Sequence, residues 1–220
     1  MSNRLAIFDC DGTLVDSGHT ICVAMEECFV RAGLEPPSRE RTRRVVGLSL
    51  VEAMRAVAPQ ASAEMHVSLA QDYKLAFHGL RSRGLVEEPL YEGIAELIDM
   101  LDSDGWLLGV ATGKSDRGLA HCLDRHGLRR KFITLQTADR HPSKPHPSMI
   151  EQALADAGAL PQTSMMIGDT SYDMAMARAA GVTAIGVTWG YHEPEELKAA
   201  GADFIAEQPS DVVAFIKALA

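Results

Sequence analysis

The sequence lacks the features of proteins that bind nucleic acids, cross membranes or depend on disulfides. Basic residues number 21 against 30 acidic ones, and this net charge of −9 argues against partners such as nucleic acid or an anionic membrane. The four cysteines form no Cys-x-x-Cys pair, so neither disulfides nor a zinc finger are expected. No apolar run could span a bilayer and no signal-peptide pattern opens the chain, which predicts a cytoplasmic protein.

The composition nevertheless suits a well-packed enzyme core. The chain has 220 residues, of which 46% are hydrophobic. This length fits one α/β domain with an insertion, or two small domains. Composition leaves the oligomeric state open between a monomer and a homodimer.

Two acids follow the first apolar run of the chain. Leu5 to Phe8 precede Asp9 and Asp11, and Gly12 comes next. In a strand, residues two apart share a face, so both carboxylates would enter one small space and would need a cation or a shared proton. A calcium loop is disfavoured because its twelfth position would be Thr20 instead of glutamate. A simple surface turn remains possible for this pair alone.

Further polar groups follow later apolar runs. Thr112 and Gly113 end the run that begins at Trp106, Asp169 ends the run at Met165 to Gly168 with Asp173 beyond it, and Lys144 precedes a helical pattern. Functional groups of an open α/β sheet gather beyond the carboxyl ends of its strands. Together these residues provide the carboxylates, hydroxyl, amide and ammonium that suit Mg²⁺ and a phosphoryl group.

In their order along the chain, these motifs resemble those of the haloacid dehalogenase-like hydrolase superfamily. The resemblance spans nearly the whole chain and is closest to the phosphoglycolate-phosphatase-like branch, through Asp-Gly-Thr-Leu-Val-Asp-Ser, Lys-Pro-x-Pro and Gly-Asp-x-x-x-Asp. It implies an Mg²⁺-dependent phosphatase with a Rossmann-like parallel sheet and a helical cap. The expected substrate is a small phosphorylated metabolite.

The resemblance also implies roles for individual residues. Asp9 is the expected nucleophile, which forms an aspartyl-phosphate, and Asp11 the general acid and base. Thr112 and Gly113 would hold the phosphate, and Lys144 would balance its charge. The expected metal ligands are Asp9 and Asp169 through their side chains and Asp11 through its carbonyl, with Asp173 binding directly or through water.

The periodicity predicts alternating strands and helices after about residue 90, which indicates a parallel sheet with right-handed crossovers. Residues 17–84 show only helical stripes. They predict an inserted helical cap, so that residues 1–16 and 85–220 form the catalytic core. Lys114 could line the entrance or face solvent. Within the cap, Arg43 and Arg44 could bind a substrate carboxylate such as that of 2-phosphoglycolate, or could simply be solvated.

Three alternative functions share parts of this pattern. A β-phosphoglucomutase-like mutase would carry a histidine ten residues after Asp11, where this chain has Ile21. A receiver-type signalling module also forms a phospho-aspartate, but it places the nucleophile on a central strand and has no helical insertion. True dehalogenases and phosphonate-cleaving enzymes lack the acid found here as Asp11. The phosphatase is therefore favoured.

Overall fold

The computed structural model describes residues 3–218 and places six parallel strands in one sheet. The spatial order of the strands is β3-β2-β1-β4-β5-β6. In chain order the strands are Asn3–Phe8 (β1), Leu107–Thr112 (β2), Thr134–Thr137 (β3), Ala159–Gly168 (β4), Thr183–Val187 (β5) and Phe204–Ala206 (β6). Successive strands lie outward from β1 to β3 on one side and from β4 to β6 on the other. The strand order therefore switches between β1 and β4, and ligands of open α/β sheets bind beside such a switch point, at the carboxyl ends of the strands.

Strand β1 lies between β2 and β4 and is an inner strand, so strand position alone does not separate this chain from a receiver-type module, whereas the helical insertion does. Its apolar residues pack into hydrophobic clusters on both sides of the sheet. Ala6 and Phe8 pack in one cluster, whereas Leu5 and Ile7 pack in the other. All four residues are fully buried. A strand covered on both faces is expected to be continuously apolar, as this one is.

Helices of the core cover both faces of this sheet. They are Ile94–Ser103 (α5), Asp116–Arg125 (α6), Ser148–Ala157 (α7), Ser171–Ala180 (α8), Pro194–Ala199 (α9) and Pro209–Ala218 (α10). The predicted α/β fold class with a parallel sheet is confirmed. Leu219, the last apolar position of the predicted C-terminal helix, lies outside the described residues.

Four of the five helices between β1 and β2 form a separate layer beyond the carboxyl ends of the strands. They are Gly18–Arg31 (α1), Arg39–Arg43 (α2), Leu50–Val57 (α3) and Ala63–Ser82 (α4). Their apolar faces share a cluster of their own, which includes Met25, Phe29, Met54 and Leu69. We refer to residues 18–82 as the cap. The domain limits at residues 16/17 and 84/85 stay a prediction, although all four helices fall between them.

The structure differs from the expected elements at a few places. The apolar run from Phe132 to Leu135 predicts a strand, but β3 begins only at Thr134, because a 3-10 turn at Arg129–Lys131 precedes it. Helices α2 and α3 were not predicted from periodicity, since short helices show little of it. Ser38 does signal α2, because its hydroxyl accepts a hydrogen bond from the Arg41 amide at 3.2 Å.

No helix within residues 3–218 is both long enough and apolar enough to cross a membrane.

Candidate active site

The carboxyl ends of three neighbouring strands bring the predicted motifs together. Asp9 follows β1, Thr112 ends β2 and Asp169 follows β4. The Asp9 amide donates a hydrogen bond to the Ile167 carbonyl at 2.9 Å, so the ladder between β1 and β4 holds the acid in place. Residues distant in sequence therefore meet because their strands are adjacent and parallel.

Gly12 allows the chain to turn sharply after these acids. Its φ of +88° lies in the left-handed region, which disfavours side chains. A Cβ atom at this position would also overlap the Asp169 carboxylate. Glycine is therefore required here both for the backbone conformation and for the close approach of Asp169.

Three buried carboxylates form the centre of the site. One oxygen from each of Asp9, Asp169 and Asp173 lies within 4.8 Å of the others. Lys144 is the counter-charge, with its Nζ atom 2.9 Å from Asp9 Oδ1 and 2.6 Å from Asp173 Oδ1. The Lys144 and Asp173 side chains are fully buried, and that of Asp9 is 1% exposed.

Burial disfavours the charged forms of the acids in this cluster. Desolvation raises the pKa of Asp9 to about 7, although the ammonium of Lys144 opposes the rise. Burial, with the charges of Asp9 and Asp173, also raises the pKa of Asp169 well above its usual range. The contact of Lys144 with Asp9 lacks hydrogen-bond geometry, and neither Asp9 oxygen has a hydrogen-bond partner among the described residues.

The donor set fits a hard divalent cation. Three clustered carboxyl groups face one ammonium, so their fully ionised form carries two uncompensated negative charges. Oxygen ligands of this kind suit Mg²⁺. The unpaired oxygens of Asp9 would gain a partner, whereas a soft metal would want the thiol or imidazole ligands that this group lacks.

Asp173 is held by hydrogen bonds at the N-terminus of α8, the helix to which it belongs. Thr170 caps α8 and donates both its amide, at 3.1 Å, and its hydroxyl, at 2.7 Å, to Asp173 Oδ2. Lys144 donates to the other oxygen. Asp173 thus orients Lys144 toward Asp9. Asp169 is fixed in a similar way, by the Thr13 hydroxyl at 2.8 Å and the Tyr191 amide at 2.9 Å.

The side chain of Asp11 lies apart from the three clustered acids and has its own cation. Lys114 Nζ lies 2.6 Å from Asp11 Oδ1 and 2.8 Å from Glu88 Oε1. The Ser17 hydroxyl donates to the same Asp11 oxygen at 2.5 Å. Burial would lower the pKa of Lys114, but the charges of Asp11 and Glu88 outweigh it and raise that pKa well above its usual value. Lys114 is therefore neither solvated nor simply at an entrance.

Sequence reasoning missed Ser17 and Glu88 as part of this network. Ser17 lies in the first motif, so its position offered a signal. Glu88 offered none, because it lies on the segment that returns from the cap and only the fold brings it to Lys114. It is 2% exposed, which is unusual for an acid in a connecting segment.

Thr112 and Gly113 lie where the core meets the cap. Thr112 is buried, and its hydroxyl accepts a hydrogen bond from the Lys114 amide at 3.2 Å. A Cβ atom on Gly113 would lie 2.6 Å from the carbonyl oxygens of Gly47 and Leu48 in the cap. Glycine is therefore required here for the cap to approach, in addition to any role in holding phosphate.

The structure does not place the two predicted cap arginines in the site. Arg44 forms a bidentate ion pair with Glu196 of α9, which engages its guanidinium outside the cavity. Arg43 is exposed, and neither residue lines the cavity above Asp9. The expectation that they bind a substrate carboxylate is corrected, because folding of the cap turns this short helix toward the core surface.

A cavity of about 370 Å³ lies between the core motifs and the cap. Asp9, Asp11, Thr112, Gly113 and Lys114 line its core side. The cap contributes mainly apolar and aromatic side chains. These are Ile21, Met25, Val45, Val46, Leu48, Leu50, Ala53, Tyr73 and Phe77.

Comparisons with known proteins agree with this arrangement. The model of the haloacid dehalogenase-like hydrolase family matches residues 6–187. Over 220 residues the chain is 36% identical to the protein named "Probable phosphatase IndB" of Dickeya dadantii, covering 98% of this chain and 94% of that protein. It is 26% identical over 216 residues to the phosphoglycolate phosphatase of Vibrio parahaemolyticus, covering 96% and 94%.

The fold has a close counterpart among solved structures. A hydrolase from Pseudomonas syringae superposes with a TM-score of 0.86 at 26% identity, covering 99% of this chain and 100% of that one. Fold, site and relatives together define a hydrolase of the phosphatase class. The chain belongs to the haloacid dehalogenase-like hydrolase family.

Proposed function

We propose that this protein is an Mg²⁺-dependent phosphatase that hydrolyses a small phosphomonoester through a phosphorylated Asp9. The observation that carries the proposal is the group of buried carboxylates at the strand ends, which one lysine only partly neutralises. Such a site would repel a phosphate dianion unless a cation were bound. Within residues 3–218, neither oxygen of Asp9 has a hydrogen-bond partner, which leaves both free to act on a bound ligand.

The residues of the chain suggest a two-step reaction. The Asp9 carboxylate attacks phosphorus, and the bond from phosphorus to the substrate oxygen breaks as Asp11, in its protonated form, gives its proton to the leaving alcohol. Asp11 then takes a proton from the water that attacks the aspartyl-phosphate, which releases phosphate and restores Asp9. The Ser17 and Lys114 contacts share one Asp11 oxygen, so the other oxygen is available for proton transfer.

Asp9, Asp169 and the main-chain carbonyl of Asp11 are the residues that would hold Mg²⁺. When bound, the ion would neutralise charge on the transferring phosphoryl group. Asp173 would act mainly by orienting Lys144, since both its oxygens already accept hydrogen bonds. Thr112 and the Gly113 amide would bind phosphate oxygens at the floor of the cavity.

The covered cavity favours small metabolites as substrates. Cap helices over the strand ends limit the space for a leaving group and exclude bulk water. A phosphorylated residue of a folded protein would not enter easily. Ile21 occupies the position where the mutase alternative needs a histidine, and it lines the cavity as an apolar residue. 2-Phosphoglycolate is a candidate substrate because relatives bear that name.

The test is release of inorganic phosphate from p-nitrophenyl phosphate. We expect activity with Mg²⁺, loss after chelation and recovery when Mg²⁺ is restored. Asp9→Asn should lower kcat by roughly a thousandfold or more, because an amide cannot act as the nucleophile. Mass spectrometry of acid-quenched enzyme should find phosphate on Asp9.

Asp124→Asn is the matched control, since Asp124 is exposed near the C-terminal end of α6 and does not line the cavity. Circular dichroism checks that each variant folds. Undiminished turnover after complete chelation would remove the metal from the proposal. Near-normal rates in Asp9→Asn would remove the nucleophile.

A further inference from the structure

The cavity combines an apolar wall with basic side chains. Its walls contain nine apolar or aromatic cap residues, from Ile21 to Phe77. Apart from Asp9 and Asp11, no acidic residue lines it among those described, whereas Lys74, Arg81 and Arg117 do. The wall therefore favours an apolar body on the leaving group, and the basic side chains favour a hydrogen-bond acceptor or a negative charge.

Arg81 is the basic residue with the most defined surroundings. Its guanidinium carbon lies 5.2 Å from the centre of the Phe77 ring, and the side chain is 24% exposed. Its Nη2 atom is buried without a hydrogen-bond partner among the described residues. Glu88 Oε2 lies 3.8 Å away, close enough for an ion pair but beyond hydrogen-bond reach. The guanidinium thus has donor capacity that the protein leaves unused.

Phe77 lies close to both this arginine and the lysine beside Asp11, and Glu88 contacts both cations. Lys114 Nζ is 5.8 Å from the centre of the same ring, and Lys114 contacts Asp11. A leaving group that extends from Asp11 across Phe77 would therefore reach Arg81. The volume of about 370 Å³ accommodates a body much larger than glycolate.

We propose that Arg81 is the specificity-determining residue of the cavity and that the preferred substrate is a phosphomonoester whose apolar leaving group ends in a carboxylate. This inference rests on the proposed phosphatase function. An arginine offers a fork of donors that matches a carboxylate, and a partly buried pair is screened less than one in open water.

The test compares kcat/KM for two aryl phosphates of similar leaving-group strength, 4-(carboxymethyl)phenyl phosphate and 4-ethylphenyl phosphate. The wild-type enzyme should prefer the acid by roughly tenfold or more. Arg81→Met, which keeps the apolar stem, should abolish that preference while retaining turnover of the neutral substrate. A disturbance passed through Glu88 to Asp11 would slow both substrates equally, so the ratio isolates recognition by Arg81.

Arg83→Met is the matched control, because Arg83 pairs with Glu27 on the cap surface and does not line the cavity. It should leave the ratio unchanged. A series of unbranched alkyl phosphates tests the apolar wall, with kcat/KM expected to rise roughly threefold to fourfold for each added methylene.

Two results would overturn the inference, namely equal rates for the acid and the neutral substrate or an unchanged ratio in Arg81→Met. A flat alkyl series would refute the apolar selection. If the wild-type enzyme with Mg²⁺ releases phosphate from no substrate, including p-nitrophenyl phosphate, then the phosphatase proposal itself fails. The two failures are therefore distinguishable.

Discussion

At the scale of single residues, Asp9 and Asp11 share a motif but occupy different electrostatic environments. Asp9 lies among other acids and is only partly balanced by Lys144. Asp11 is paired with Lys114, which in turn is paired with Glu88. In the proposed reaction these two environments suit different tasks, with Asp9 as nucleophile and Asp11 as proton carrier.

The pairing of Asp11 with Lys114 predicts that the effect of removing Lys114 on kcat depends on the leaving group. Lys114→Met should lower kcat for alkyl phosphates by roughly a hundredfold at most, because it leaves Asp11 and Glu88 without their shared cation and Asp11 less well oriented. The loss should be much smaller for p-nitrophenyl phosphate, whose leaving oxygen needs little help from an acid. Asp11→Asn should show the same dependence more strongly.

Steady-state kinetics with both substrates measures this effect. Lys198→Met is a suitable control, since Lys198 is an exposed residue of α9. An equal loss with both substrates would show that Lys114 only supports the fold or binds phosphate, and would contradict the positioning role.

At the scale of elements, the loop between α2 and α3 connects the cap to the core. Arg44 pairs with Glu196, the Arg44 carbonyl accepts a hydrogen bond from the Tyr172 hydroxyl at 3.2 Å, and the Ser49 amide donates to the Ser143 hydroxyl at 2.8 Å. The two chain segments between cap and core also lie side by side, with Asp16 N donating to the Pro89 carbonyl at 2.9 Å. The cap therefore meets the core at two places, this loop and the paired chain segments.

Loss of the ion pair between Arg44 and Glu196 should therefore weaken the contact between cap and core. Arg44→Met or Glu196→Gln should raise KM about twofold to fivefold, the range expected for one partly exposed ion pair, with kcat little changed. High salt should reproduce part of the effect in the wild-type enzyme. Arg39→Met is the control, because Arg39 pairs with Glu26 within the cap.

The ion pair between Arg44 and Glu196 should be lost only at low pH. The hydrogen bonds from Arg44 lower the pKa of Glu196 from its usual 4.5 to about 2. A lowered carboxyl pKa contributes stability that is present above 4.5 and is lost as the pH falls toward 2. The KM effect should thus be constant through the neutral range. An effect that appears only above neutral pH, or an equal one in Arg39→Met, would contradict the assignment.

At the scale of the whole molecule, the proposed Mg²⁺ site predicts that the ion stabilises the folded protein. The chain carries a net charge of −9, and three of its acids are buried together. A cation that binds only the folded state stabilises it by about 2.7 kcal/mol at a concentration of roughly a hundred times Kd. For a protein of this size the expected rise in Tm is about 5–10 °C.

Calorimetry with and without Mg²⁺ measures this stabilisation, with sodium chloride at matched ionic strength as the reference. Asp169→Asn should lose most of the rise, whereas Glu195→Gln, an exposed residue of α9, should keep it. A rise that persists in Asp169→Asn would place the ion elsewhere on the molecule.

The sequence by itself determined the sheet, the order of the motifs and the acids at the strand ends. These follow from local information, because a strand or helix has a fixed period and a motif next to a strand must lie at its end. The tertiary structure decided the partners of the charged side chains. Arg44 meets Glu196, 152 residues away, and Lys114 meets Glu88 only because the cap folds back over the core. The periodicity of a segment does not specify where a cap lies on the core. The cavity, and the position of Arg81 in it, therefore follow only from the packing of cap against core.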